Sequence, residues 1–286
     1  MHGRALVLGA GGHAGIAWEL GVLAGLADGG APAHEADLVI GTSAGSIVGA
    51  LITSGVSLAD LFERQVDPAR HTGESAPAID FVQWRADFMR ARQGSDDAAA
   101  VVKRFGVLAR QVPTTTRDAR RRTIAARLPS PAWPTTRDLS IVAADVDTGE
   151  RRVFDRTSGV DLVDAVAASC AVPGIWPTVA VDGGEYMDGG VYSIDNADLA
   201  VGSARVLILT LQARVPALCV QSLESAVDEL HQSGAEVEIV HPDEATLKAF
   251  GAVGGNVLDP AVREPAARAG REQGRKLSRS GIGARG

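Results

Sequence analysis

The sequence is short of the residues that would commit it to several common kinds of chemistry. Only two cysteines occur in 286 residues, Cys170 and Cys219. They are far apart and each lies in apolar surroundings, which argues against a disulfide framework and against any C-x-x-C metal site. Both read as small buried hydrophobes of a reducing compartment. Lysine is nearly absent, and the 28 basic residues are outnumbered by 35 acidic ones, for a net charge of −7. Nucleic acid is therefore a poor partner, because phosphate backbones are held by clustered Lys and Arg. The one arginine-rich run, RDARRR from Arg117 to Arg122, reads as a solvated helix face. No apolar run approaches the roughly 18 residues needed to span a bilayer. The start, MHGRALVLGAGG, breaks its short apolar stretch with glycines and shows no cleavage site after it, so a secretory signal is not expected. These absences lead to the expectation of a cytoplasmic protein, with peripheral contact at membranes left open.

What is present has α/β grammar. RALVLGAGG is an apolar β-rich run ending in glycines, and HAGIAWELGVLAGLADGG after it carries apolar residues at helical spacing. ADLVIGTSAGSIVGALITSG repeats the pattern, with a strand at Asp37 to Gly41, a turn, and a helix closing near Gly55. Two strand-to-helix units in succession predict a mainly parallel sheet covered by helices. Residues 58–134 are charged and helical, and IDFVQWRADFMRAR sets Phe81, Trp84 and Phe88 on one face. Those aromatics either pack the helix onto the body or form a lid over a site. A hairpin turning at Asp147-Thr148-Gly149 follows, then a helix stopped by Pro173-Gly174. Beyond it come strands at Val206 to Leu211 and EVEIV, a helix near Leu223 to Gln232, and a helix from Pro260 to Leu277. A single domain over 1–286 is expected, with residues 271–286 as a flexible tail.

Three stretches can carry chemistry. Gly41, Ser43 and Gly45 form G-x-S-x-G between a strand and a helix, where a sharp turn exposes the serine hydroxyl and only small neighbours fit. Among 33 glycines such a match means little alone, and its placement gives it weight. The glycines at Gly9, Gly11, Gly12 and Gly15 allow a dinucleotide turn, G-x-G-x-x-A over Gly9 to Ala14. They equally allow an oxyanion loop offering the N–H groups of Gly11 and Gly12. The acid expected to bind ribose at the end of the second strand is replaced by Gly41-Thr42-Ser43, which favours the oxyanion loop. For a base, His241 follows a strand and suits a Ser-Asp-His order, with His231 less well placed and His13 inside the glycine loop. Asp182 and Asp188 each lead a D-G-G triplet. Either is a simple turn or, partly desolvated, a base stronger than a free aspartate.

Taken together, LVLGAGGHAGIAWELGVL, GTSAG, YMDGGVYS and the intervening AASCAVPGIWP resemble the patatin-like phospholipase family, in that family's order, over roughly Ala5 to Leu211. The resemblance implies a three-layer α/β/α fold and a serine acyl hydrolase acting on carboxylic esters of phospholipids or related lipids. It implies Ser43 as nucleophile, Asp188 as base in a dyad without histidine, and Gly11, Gly12 and Gly15 in the oxyanion loop. No metal or organic cofactor is implied. Ala10 and Ala14 depart from the family loop, the second at a place often held by Lys or Arg. The rival expectations are an oxidoreductase using the Gly9 to Ala14 turn and a catalytically silent lipid-binding protein of the same fold.

Overall fold

A computed structural model describes residues 2–71, 76–77, 80–93, 97–111, 115–211, 219–252 and 255–283. The apolar runs form an eight-stranded sheet ordered β5-β6-β3-β2-β1-β7-β8, with β4 also paired to β3. Its strands are β1 (Arg4–Leu8), β2 (Leu38–Thr42), β3 (Asp138–Asp145), β4 (Arg151–Phe154), β5 (Val179–Val181), β6 (Gly184–Asp188), β7 (Arg205–Leu209) and β8 (Glu236–Val240). The strands β3, β2, β1, β7 and β8 are parallel, while β4 and β6 each pair antiparallel with β3 and β5 pairs antiparallel with β6. Continuous apolar runs such as RALVL and RVLIL suit strands covered on both faces. One face carries α1 (Gly12–Asp28), α2 (Ala44–Ile52), α7 (Leu162–Ser169) and α10 (Arg263–Arg279). The other carries α8 (Leu223–Gln232), packed through Leu223, Ala226 and Leu230 on Val7, Val206 and Ile208. The layers are the α/β/α arrangement expected, with the antiparallel strands as an addition.

The register of β3 positions the site. Ile141 to Ala144 pair with β4 along one edge, and Asp138 to Val142 pair with β2 along the other. Since Ala143 faces both Arg152 of β4 and Asp188 of β6, β6 must lie on the same edge as β2. The two strands therefore run toward each other along one side of β3. The parallel strand ends at Thr42 opposite Val142, and the antiparallel one ends at Asp188 opposite Ala143. Neighbouring residues of a strand are about 3.3 Å apart, so the ends of β2 and β6 meet.

Residues 58–134 hold α3 (Leu58–Val66), α4 (Phe81–Arg92), α5 (Ala98–Arg110) and α6 (Arg117–Arg127). Phe88 of α4 stacks on Phe105 of α5 with centroids 4.6 Å apart, and this pair packs on Ala144, Met187 and Val191 at the end of the sheet. The stretch expected to be a flexible tail differs from that reading: α10 continues as helix through Arg279. Its glycines press against α1, and Arg271 and Arg275 both donate to Asp28 of α1, so the segment is held by packing and charge. Residues 284–286 lie outside the described residues.

Candidate active site

Ser43 sits at the junction of β2 and α2 with φ 53° and ψ −112°. A positive φ is strained for a residue with a side chain, and the surroundings hold it. A Cβ on Gly45 would lie 2.0 Å from the carbonyl oxygen of Leu8, and one on Gly41 would lie 2.5 Å from that of Gly45. Only glycine fits at either position. The Ser43 N–H donates to Ser169 Oγ at 2.9 Å, and that hydroxyl donates to the Val142 carbonyl at 2.6 Å. The Ser43 carbonyl accepts from Ser46 Oγ at 2.6 Å and from Cys170 Sγ at 3.3 Å. Burial pushes the Cys170 thiol up to about 11, which keeps its proton available for this bond. Cys170 thus does more than fill space, and Ser169 escaped the sequence reading altogether. Their signal was AASC ahead of the D-G-G stretch, small polar residues at the end of an otherwise apolar helix.

Asp188, only 4% exposed, closes β6 beside this turn. Its Oδ1 accepts from the Gly190 N–H at 2.8 Å, while its Oδ2 is buried without a hydrogen-bond partner of its own. Burial raises its pKa to about 6, against smaller opposing contributions from the Ser43 hydroxyl, the Gly190 N–H and the Arg120 charge. Ser43 is therefore close enough to influence the carboxylate without completing a hydrogen bond of full geometry. Asp182 is excluded by its place. With Gly183 it makes the two-residue turn of the β5–β6 hairpin, at φ 52° and 74°, the pair of positive φ values such turns require. It is exposed and paired with Arg152.

The histidines do not take part in this junction. His241 follows β8, three strands from β2, or roughly 14 Å at ordinary strand spacing. His231 is exposed on α8. His13 is near Ser43, but burial and the charges of Arg127, Arg263 and Arg120 bring its pKa down to about 2, so it stays neutral.

The glycine loop joins β1 to α1 and lies across the same site. Gly11, Gly12, Ser43 and Asp188 line one cavity of about 350 Å³, with Phe81, Trp84 and other apolar side chains making its wall. Trp84 Nε1 donates to the Pro173 carbonyl at 2.9 Å and its ring lies 4.5 Å from that of Phe88. The aromatic stripe thus packs its helix and borders the site at once. Gly15 requires a correction: its N–H donates to the Gly11 carbonyl at 2.8 Å, and a Cβ on it would lie 3.2 Å from that of Ala44. It shapes the loop and is no donor to the cavity. Loop residues 257–258 fill the space a dinucleotide phosphate would need, since the Ala14 N–H donates to the Val257 carbonyl and Leu258 abuts Gly12.

A family model described as patatin-like phospholipase matches residues 6–201. The chain belongs to the patatin-like phospholipase family. Membership assigns it to the lipid acyl hydrolases and accounts for the glycine loop, the serine turn and the D-G-G stretch in one order. The crystal structure of VipD from Legionella pneumophila is similar at 13% identity and TM-score 0.45, covering 98% of this chain and 67% of that one. That of the type III effector protein ExoU is similar at 15% identity and TM-score 0.37, covering 96% of this chain and 53% of that one. The chain thus spans about half the length of ExoU. No curated protein matches the sequence. Among the described residues no helix is long and apolar enough to cross a membrane, and no group of three or more His, Cys, Asp or Glu could hold a metal ion.

Proposed function

We propose that the protein hydrolyses carboxylic ester bonds of phospholipids or related lipids, with Ser43 as nucleophile and Asp188 as general base. The observation that carries this reading is the meeting of β2 and β6 on one edge of β3, which sets a buried, unpartnered carboxylate oxygen beside a strained serine in an apolar cavity. Asp188 takes the Ser43 proton as Oγ bonds to the ester carbon. The carbonyl oxygen becomes an anion facing the N–H groups of Gly11 and Gly12, a kind of contact worth about 3 kcal/mol. Collapse expels the alcohol, which leaves with the proton from Asp188, and acyl-Ser43 remains. Asp188 then deprotonates a water molecule that attacks this ester, releasing the fatty acid and restoring Ser43. A pKa of about 6 leaves the carboxylate mainly ionised at neutral pH and makes it a stronger base than a free aspartate. Val82, 82% exposed on α4 next to the cavity wall, offers an apolar contact with an aggregated lipid surface.

A serine-directed fluorophosphonate probe tests the reading. Labelling is expected for the wild type and lost in Ser43→Ala; labelling that survives in Ser43→Ala overturns the assignment. Asp188→Asn is expected to abolish turnover of a p-nitrophenyl ester, and His241→Ala to preserve it. With the wild type, kcat/KM is expected to rise with pH to a plateau, with its midpoint near the value of about 6 held by Asp188.

A further inference from the structure

A second cavity, of about 310 Å³, lies between α1, α2, α3, α6 and α10. Its floor is apolar, but its polar lining is basic: Arg64 and Arg70 stand at the mouth, Arg127 and Arg263 farther in, and no carboxylate is among the described lining residues. Asp60 accepts from Arg64 Nε at 3.0 Å and from Arg70 Nη2 at 2.7 Å, so both mouth arginines share one carboxylate partner. Farther in, Arg127 Nη2 lies 3.5 Å from His13 Nε2. Arg263, 6% exposed, has a buried Nε with no hydrogen-bond partner. Burial and the Arg263 charge bring Arg127 down to about 10.

This cavity is not isolated from Ser43. A gap of about 30 Å³, lined by Gly12, Ser43, Arg120, Arg127 and Cys170 among others, adjoins both cavities and shares Arg127 with the basic one. Arg120, also 6% exposed, lies 4.0 Å over the Trp176 ring, with its Nε buried and unpartnered. Guanidinium groups gathered out of water repel one another and forgo hydration, and a bound anion relieves both costs. Several forks arriving from different helices suit an oxyanion with acceptors on every side, as a phosphate has.

We propose that this cavity binds a phosphate group, held by Arg127 and Arg263. The phosphate is either a lipid headgroup whose ester lies at Ser43, in which case the proposal rests on the hydrolase reading, or a free phosphate acting on the enzyme from this side. Titration of the purified full chain with inorganic phosphate, followed by calorimetry and thermal unfolding, is expected to show saturable binding and a raised Tm. Binding is expected to weaken about tenfold in Arg263→Gln, the loss of one charge-assisted contact, and to be largely retained in Arg263→Lys. In phosphate-free buffer Arg263→Met is expected to unfold no lower than wild type, because it removes an uncompensated buried charge, whereas a merely structural arginine would lower Tm.

Competitive inhibition by phosphate against a phospholipid, with a p-nitrophenyl ester unaffected, identifies the headgroup as the source. An equal effect on both substrates identifies the free anion. No binding at millimolar phosphate, or binding equal in wild type and Arg263→Gln, overturns the proposal even if the wild type hydrolyses esters. Binding that persists in a wild type without esterase activity sustains the pocket and removes the hydrolase reading instead.

Discussion

At the scale of single residues, the burial of Asp188 carries a cost in stability. Its carboxyl has a pKa of about 6 in the fold against an ordinary value of 3.8. A raised acid binds its proton more tightly folded than unfolded, so stability falls as pH climbs from about 4 to 6 and the full penalty persists above that. The difference corresponds to on the order of 3 kcal/mol. Asp188→Asn, which keeps an acceptor for the Gly190 N–H, is therefore expected to be inactive yet more stable above pH 6. The gain should vanish below about pH 4, as denaturant unfolding at a series of pH values will record. An Asn variant less stable than wild type at neutral pH contradicts this account of the site.

At the scale of elements, the serine turn depends on the end of α7, which lies far from it in sequence. Ser169 gives the Ser43 N–H its acceptor and ties it to Val142 of β3. Ser169→Ala leaves two buried backbone groups unmatched, a cost of about 2 kcal/mol. On the proposed mechanism it is expected to lower kcat roughly tenfold with KM little changed, since a misaimed Ser43 would affect the reaction more than binding. Steady-state kinetics with a short ester separates the two, and a change confined to KM would refute a positioning role. Such contacts mark the limit of what was legible in the chain. β8 and α8 stand where EVEIV and the Leu223 to Gln232 helix were expected, because periodic apolar runs announce themselves locally. The serine turn, and the D-G-G stretch that begins beside it, were legible through motif order. The bolt from Ser169 and Cys170, the engaged N–H of Gly15 and the basic cavity were not. Each arises from residues brought together across more than one element, with no local pattern to betray it.

At the scale of the whole molecule, α1 and α10 form one close pair. Gly21 and Gly25 of α1 face Gly270 and Gly274 of α10 so tightly that a Cβ on Gly25 would lie 2.1 Å from the Arg271 carbonyl. Trp18 Nε1 donates to Gln273 Oε1 across the same seam at 2.9 Å. Gly25→Ala gains about 1 kcal/mol in helix propensity, and the forced separation is expected to outweigh it by about 2 kcal/mol net. A lower midpoint in urea would register this. Because α10 also begins with Arg263, the same variant is expected to weaken phosphate binding; an unchanged midpoint would show that the seam yields without cost.

The pairing of β1 has a consequence for the order in which the molecule forms. This strand lies inside the sheet, and its partner on one side is β7, so Arg4 is matched with Arg205 across most of the chain. A ribosome delivers β1 well before β7, which follows only after the serine turn, the helices of residues 58–134 and Asp188 have all emerged. Contacts spanning such sequence distances slow folding. The glycine loop, anchored by Gly9 N–H to the Leu209 carbonyl of β7, takes its final shape late. The nascent chain therefore carries its serine for most of synthesis without a finished glycine loop, and on the proposed mechanism competence to hydrolyse arrives with closure of the sheet.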